Sequence, residues 1–217
     1  MDTRPTEPLA RKAGLAWLVS RIRPRAGRTL VAVDGVDGAG KTTFANDLAT
    51  ELTDSGLRVI RISLDDFLNP PERRYAKGRS SPEGFVSDTY DYRRFVDDVL
   101  EPLGPEGGGR YRPKSYDYAT ETPLSPPWEV APDPVVVVVD GMFLHSDQLR
   151  DARGRKVWDL SAWLEVPPEV SVRRLAERDG SPPDPDDPRN HRYVEGQRLY
   201  VAAQHPAERA DLVVDNS

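Results

Sequence analysis

The sequence has no cysteine, three histidines, two methionines, and only five lysines against 25 arginines. Without cysteine there are no disulfides, no thiolate nucleophile and no Cys-ligated zinc. No apolar run reaches the ~18 residues of a membrane span. The first residues lack the apolar core of a signal peptide, so a cytoplasmic protein is expected. The net charge of −6 argues against general nucleic-acid binding, which needs clustered positive charge to release counterions. What is present suits a globular chain: 217 residues, 37% hydrophobic and 30% charged. A chain of this length buries roughly 70% of its surface, enough for a real core, and one domain spanning 1–217 is expected. The 21 prolines are about twice ordinary usage and point to long irregular connections.

Apolar periodicity places the elements. Residues 8–22 read as a helix with Leu9, Trp17 and Leu18 on one face, stopped by Pro24. Thr29 to Val33 is a short apolar run ending in Asp34-Gly35 and reads as a buried strand. Thr42 to Thr53 is helical, with Phe44, Leu48 and Leu52 four apart and Gly56 as the stop. A second strand covers Arg58 to Leu64. Residues 69–88 hold Pro, Gly, Ser and basic side chains and are expected to form a mobile loop. Tyr92 to Leu100 is helical, and 103–134, rich in Pro and Gly, is expected to be irregular with a hairpin. Val135 to Val139 is five consecutive β-branched residues, the pattern of a central parallel strand buried on both faces. Ser161 to Val166 is a further strand. Pro167-Pro168-Glu169 then opens a helix, because proline fits the first turn and an acid suits its positive end. Residues 181–188 (SPPDPDDP) form a lid-like loop, His191 to Ala203 a helix and Asp211 to Val214 the last strand. Strands alternating with helices give an α/β parallel sheet flanked by helices on both faces.

Gly35-Val36-Asp37-Gly38-Ala39-Gly40-Lys41-Thr42 matches G-x-x-x-x-G-K-[ST], between a buried strand and a helix. A chance match in such a chain is about one in a hundred or less. Glycines let backbone N–H groups turn inward around a phosphate, and the helix start adds partial positive charge. Gly35, Asp37, Gly38, Ala39, Gly40, Lys41, Thr42 and Thr43 are therefore the expected ATP-binding positions, with Lys41 reaching the terminal phosphates. The Thr42 hydroxyl is an expected Mg²⁺ ligand. Asp140, ending the Val135–Val139 strand, is a second metal position, against the alternative of a simple turn cap. Asp65 and Asp66 follow the second strand, at the sheet end where such chemistry sits. Asp65 is the expected base and a further metal neighbour. Asp66 is the alternative, with one of the pair serving as a helix cap.

The P-loop, Ser63-Leu64-Asp65-Asp66-Phe67-Leu68, Tyr90-Asp91, Tyr116-Asp117-Tyr118, the strand into Asp140-Gly141, and Arg174 with Arg178-Asp179 fall in the order seen in uridine kinases. The sequence resembles that family, whose wider group includes phosphoribulokinase and bacterial pantothenate kinase, over about residues 29–215. The resemblance implies a P-loop NTPase fold with a lid segment near 170–198 and acceptor-side loops near 69–90 and 103–134. It implies ATP- and Mg²⁺-dependent transfer of the γ-phosphate to a hydroxyl of a small acceptor, a pyrimidine nucleoside above others, and is compatible with a homo-oligomer. It makes Asp65 the catalytic base, places Tyr90-Asp91 against sugar hydroxyls and Tyr116 in the base pocket, and gives Arg174 and Arg178 the phosphates. Asp66 is taken as a further substrate-side acid. Two departures stand out. Uridine kinases usually carry Glu where this chain has Asp140. They also carry a pyrimidine-reading His shortly after the Y-D-[FY] segment, where this chain reads Ala119-Thr120-Glu121-Thr122.

Other residues carry blander expectations. Arg189, Arg192 and Arg198 read as surface, the four tryptophans as packing, and His145 as a satisfied hydrogen bonder rather than a catalyst. Two other functions compete with a hydroxyl kinase. A thymidylate-type kinase fits the P-loop and the length, but the chain has no Asp-Arg dipeptide. A GTPase switch would need an Asn-Lys-x-Asp base reader, which is absent.

Overall fold

The computed structural model describes residues 4–22, 27–150 and 156–217. Six strands form one all-parallel sheet: β1 (Leu9–Ala10), β2 (Arg28–Gly35), β3 (Val59–Ser63), β4 (Val135–Asp140), β5 (Leu160–Glu165) and β6 (Leu212–Asp215). Their spatial order is β1-β6-β5-β2-β4-β3. The helices used below are α1 (Arg11–Arg21), α2 (Lys41–Asp54), α3 (Pro82–Asp88), α4 (Pro168–Asp179) and α5 (His191–Gln204). This is the P-loop NTPase fold that the sequence predicts.

Alternation along the central strands feeds two cores. Val31, Val33, Val136 and Val138 pack under α1 and α2, against Leu18, Phe44, Leu48 and Leu52. Leu30, Ala32, Val135, Val137 and Val139 face the other way, against Phe67, Phe85, Phe95, Phe143 and Tyr200. A strand apolar at every position is stable only when both its faces are covered. β4 also pairs on both edges, with β2 and β3.

Three expectations need correction. The helix expected over 8–22 starts at Arg11, because Leu9 and Ala10 pair with Val214 and Asp215 as β1. Its proposed stop, Pro24, lies outside the described residues. Residues 69–88, expected as a mobile loop, are ordered as a helical turn Pro71–Arg74 and α3. The Ser81 side chain accepts Gly84 N–H, and Pro82 sits in the first turn of α3, a favourable start. Arg192 is the third correction and the main cause of that order. It is buried rather than on the surface. Its guanidinium donates to the carbonyls of Arg74, Gly78 and Ser81 at 2.9, 3.2 and 3.0 Å. It also lies over the rings of Tyr75 and Phe85.

The stretch 92–103 is helical with a π turn over Val96–Leu100. In 103–134, Arg110–Tyr111 pairs antiparallel with Glu129–Val130, and Tyr116–Asp117 with Thr122–Pro123. No helix among the described residues is long and apolar enough to cross a membrane.

Replacing Arg192 by Met leaves three carbonyls without their donor. The substitution should cost about 2 kcal/mol in urea unfolding and speed amide exchange between residues 74 and 84 more than in the sheet.

Candidate active site

The sheet register brings the functional loops together. Asp140 lies opposite Val33 on β2 and Ser63 on β3. The segments that follow these strands therefore leave at one height, at the carboxyl end of the sheet where α/β proteins bind ligands.

The P-loop turns tightly after β2. Gly38 has φ +72°, and a Cβ there would come within 2.6 Å of the Ser171 carbonyl on α4, so glycine is required twice over. Ala39 N–H donates to Val36 O at 3.1 Å, and Gly40, also left-handed, leads into α2. Lys41 Nζ donates to Val36 O at 2.8 Å. Thr42 Oγ1 donates to Asp140 Oδ2 at 2.7 Å, while Thr43 is exposed on the first turn of α2.

Asp140 is 1% exposed. Its other oxygen accepts Arg61 Nη2 at 2.7 Å, and Arg61 also donates to Val138 O. Arg61 was not singled out from the sequence, where it is one charged residue in a strand. The Thr42 hydroxyl, one Asp140 oxygen and the nearby Asp65 make a hard, oxygen-only donor set. Mg²⁺ prefers such a set, binding one or two protein groups and completing its shell with phosphate and water. The residues present fit that ion.

Asp65 and Asp66 lie in a short 3₁₀ turn, Leu64–Phe67. Neither caps it: the cap is Ser63, whose hydroxyl accepts Asp65 N–H. Tyr90 reaches Asp65 because the two segments are stitched together. Asn69 Nδ2 donates to the carbonyls of Asp88 and Tyr90, and Asp91 N–H donates to Phe67 O. The Tyr90 hydroxyl then donates to Asp65 Oδ1 at 2.7 Å. Asp65 is exposed at the carboxyl end of the sheet, yet protein crowds it closely, and this crowding raises its pKa. Tyr90 and Lys41 oppose the rise, and Asp140 and Asp37 add to it. Water in the cleft tempers the shift. Asp66 is raised as well, by burial first, with Lys114 opposing. Burial and Asp65 push the Tyr90 phenol far up, so it remains a donor.

Asp91 caps the next helical turn by accepting Arg94 N–H at 3.0 Å. Tyr116 is buried, and its hydroxyl donates to Glu121 Oε2 at 2.6 Å. Arg74 pairs with the same Glu121 oxygen. On the lid side, Ser171 Oγ donates to Asp37 O at 2.6 Å and docks α4 on the P-loop. Arg174 Nη1 lies 3.5 Å from Gly38 O, and Arg178 Nη1 lies 3.6 Å from Asp37. Asn190 holds the Pro182 and Asp184 carbonyls of the proline-rich loop.

Two cavities flank the P-loop. One, of about 570 Å³, lies between it, α4 and α5, with Asp37, Arg178 and Tyr193 in its wall. The other, of about 540 Å³, is bounded by Arg11, Gly40, Thr43, Arg174, Asn216 and Ser217. Asn216 Nδ2 donates to Ala39 O at 2.6 Å. Like Arg61, it carried no sequence signal, since only the parallel pairing of β6 brings it to the loop.

Comparison with known proteins fits this geometry. The chain is 30% identical over 167 residues to a thymidylate kinase of Xylella fastidiosa (strain 9a5c), across 70% of this chain and 68% of that one. The chain belongs to the P-loop small-molecule and nucleotide kinases, the family of that enzyme. The kinase is also 26% identical over 155 residues to a uridine kinase of Leuconostoc citreum (strain KM20), covering 69% of this chain and 68% of the relative. A solved structure described as a possible uridine kinase from Bacillus stearothermophilus superposes with a TM-score of 0.72 at 21% identity, over 94% of this chain and 98% of that one. The family model that matches is the methylmalonyl Co-A mutase-associated GTPase MeaB, over residues 6–68. That match takes in the P-loop and ends at Leu68, short of Tyr90 and of the lid.

The raised pKa of Asp65 has a consequence for stability. A carboxyl that binds its proton more tightly when folded gives stability that is full below the unfolded value and lost as pH rises through the folded value. Asp65→Asn should therefore raise Tm at pH 7, and the gain should shrink as pH falls towards 4 in a thermal scan series.

Proposed function

We propose that this kinase transfers the γ-phosphate of ATP to a hydroxyl of a small acceptor, a nucleoside such as uridine or cytidine above others. The observation that carries the reading is Asp65, held by Tyr90 beside Lys41 and Asp140 with a pKa above the ordinary aspartate value. A hydroxyl must lose its proton as it attacks, and a carboxylate of raised pKa is the better base for it. Lys41 supplies positive charge at the terminal phosphates. Arg174 and Arg178, already beside Gly38 and Asp37, are placed to reach them from the lid. Mg²⁺, held by Thr42 and Asp140, would neutralise charge on the β- and γ-phosphates. Arg61 fixes the Asp140 carboxylate and leaves the oxygen shared with Thr42 towards the loop. The cavity at Gly40, Thr43 and Arg174 suits the nucleoside part of ATP. Tyr90, Asp91, Asp66 and Tyr116 line the acceptor side, with Glu121 in the stretch where uridine kinases carry their pyrimidine-reading His.

A second reading, a thymidylate-type kinase, is favoured by the 30% identical relative. Its acceptor is a phosphate, which needs cations rather than a base beside the nucleophile. Here the acceptor side is acidic: Asp65 and Asp66 each raise their pKa further under the charge of Asp140. A neutral hydroxyl suits that field better than a dianion.

ADP release with Mg²⁺-ATP across uridine, cytidine, thymidine monophosphate, pantothenate, ribulose 5-phosphate and glycerate tests the choice. Stimulation by a nucleoside is expected. Stimulation by thymidine monophosphate alone would transfer the protein to the second reading. Asp65→Asn should lower turnover by about 10²- to 10⁴-fold with MgATP affinity retained. The wild-type rate should fall on the acid side as Asp65 takes up its proton. Because the Tyr90 hydrogen bond stabilises the carboxylate, Tyr90→Phe should move that limb of the kcat–pH profile to higher pH.

A further inference from the structure

Asp34 is the most deeply buried acid among the described residues, at 0% exposure, and the transfer chemistry above does not use it. It ends the apolar run of β2, one residue before the P-loop. A carboxylate in such a place is tolerated only when its lone pairs are filled, and here they are. Oδ1 accepts Gly35 N–H at 2.7 Å. Oδ2 accepts the Tyr200 hydroxyl at 2.5 Å, His145 Nδ1 at 2.7 Å and His145 N–H at 3.1 Å. The carboxylate only accepts, so the His145 proton sits on Nδ1. Burial and Asp34 hold the Tyr200 phenol far above its ordinary value, which keeps it a donor.

These donors come from three places: the P-loop itself, the loop after β4, and α5, the helix that follows the proline-rich loop. The loop after β4 is firmly set. Phe143 there takes a left-handed φ of +67° and is 1% exposed, with its ring 4.8 Å from that of Tyr200. Arg209 Nη1 donates to the His145 carbonyl at 2.9 Å. Gly35 has no slack either: a Cβ there would lie 3.0 Å from the Leu164 carbonyl and 3.2 Å from the Ala39 methyl. The direction of the first P-loop peptide is thus set by Asp34, and Asp34 is set by Tyr200 and His145.

We infer that Asp34 is a positioning residue for phosphate binding, orienting the first peptide of the P-loop and tying it through Tyr200 to α5. The inference rests on the reading of the P-loop as the MgATP site. It differs from plain structural burial in one measurable respect. Loosening Asp34 weakens nucleotide binding, whereas loosening an equally buried polar contact elsewhere does not.

The experiment is titration calorimetry with MgATP, alongside thermal melts, on wild type, Tyr200→Phe, Asp34→Asn and Ser161→Ala. Tyr200→Phe keeps the ring packed against Phe143 and Trp163 and removes only the hydroxyl. Ser161→Ala removes a buried hydroxyl on β5, opposite Ala32, that is bonded to Asp211 and to no group of the P-loop or of the Asp34 cluster. A rise in Kd for MgATP of about 3- to 10-fold is expected for Tyr200→Phe, with Ser161→Ala at the wild-type Kd despite a lowered Tm. Asp34→Asn carries the same test if Tyr200→Phe does not fold. A Kd within twofold of wild type in the folded variant, with only Tm lowered, would overturn the inference and leave Asp34 a structural acid. Failure of the wild-type protein to bind MgATP would overturn the reading of the site, and this inference with it.

Discussion

Everything at the site depends on the pairing of β4. It is hydrogen-bonded on both edges and apolar on both faces, and it sets Val33, Asp140 and Ser63 side by side. A slip of one residue would turn every valine to the opposite core and separate Asp140 from Thr42. With the register fixed, three chain segments leave the sheet together. The first becomes the P-loop, the second carries Asp65 and Asp66, and the third turns through Gly141 and Phe143 to His145. Gly141 is needed at that turn, because a Cβ there would lie 2.5 Å from the Leu64 side chain.

Asp140 illustrates how the side chains follow from that geometry. Aspartate is short, and with β2 and β4 in register it meets the Thr42 hydroxyl directly at 2.7 Å. Its almost complete burial is tolerated because Arg61 covers the second oxygen from the neighbouring strand. The partly exposed Arg61 buries its stem along the sheet and keeps contact with Asn46 of α2. The acids Asp65, Asp66 and Asp140 are faced by Lys41 and Arg61 towards the donor and by Lys114 near Asp66, with Arg174 and Arg178 on the lid side of the P-loop.

What the sequence revealed and what it hid divide along a physical line. The P-loop, the five-valine strand and the proline-led start of α4 are local signals, and the structure has all three. The P-loop strand carries a buried Asp34 because its partners lie 111 and 166 residues away, and no local pattern announces them. His145 reads as a satisfied hydrogen bonder in the sequence, and this is half met: Nδ1 bonds Asp34, while Nε2 is buried without a hydrogen-bond partner. The order of 69–88 was hidden because it comes from Arg192, 118 residues beyond Arg74, and an arginine in a helix ordinarily signals solvent. β1 was hidden by its two-residue length: Leu9 and Ala10 have no period to detect, and only Val214 and Asp215 make them a strand. Asp91 was expected against sugar hydroxyls, and what the structure shows is a helix cap, a role that an Asp before Tyr-Arg-Arg-Phe suits equally well.

The strand order also bears on how the chain reaches this state. Among the described residues, β1 pairs only with β6, β3 only with β4, and β2 lies between β4 and β5. None of the first three strands therefore touches another of the three. Up to residue 134 the growing chain holds helices, the P-loop and two short antiparallel strand pairs but no pair of the central sheet, and the apolar edges of Leu30 to Val33 stay unpaired. Parallel pairing at such sequence distance is slow and leaves those edges open to wrong partners. The stretch 6–68, although it contains the whole phosphate loop, is for the same reason not a unit that folds by itself: the strand that assembles it is synthesised last among its neighbours on that side of the sheet.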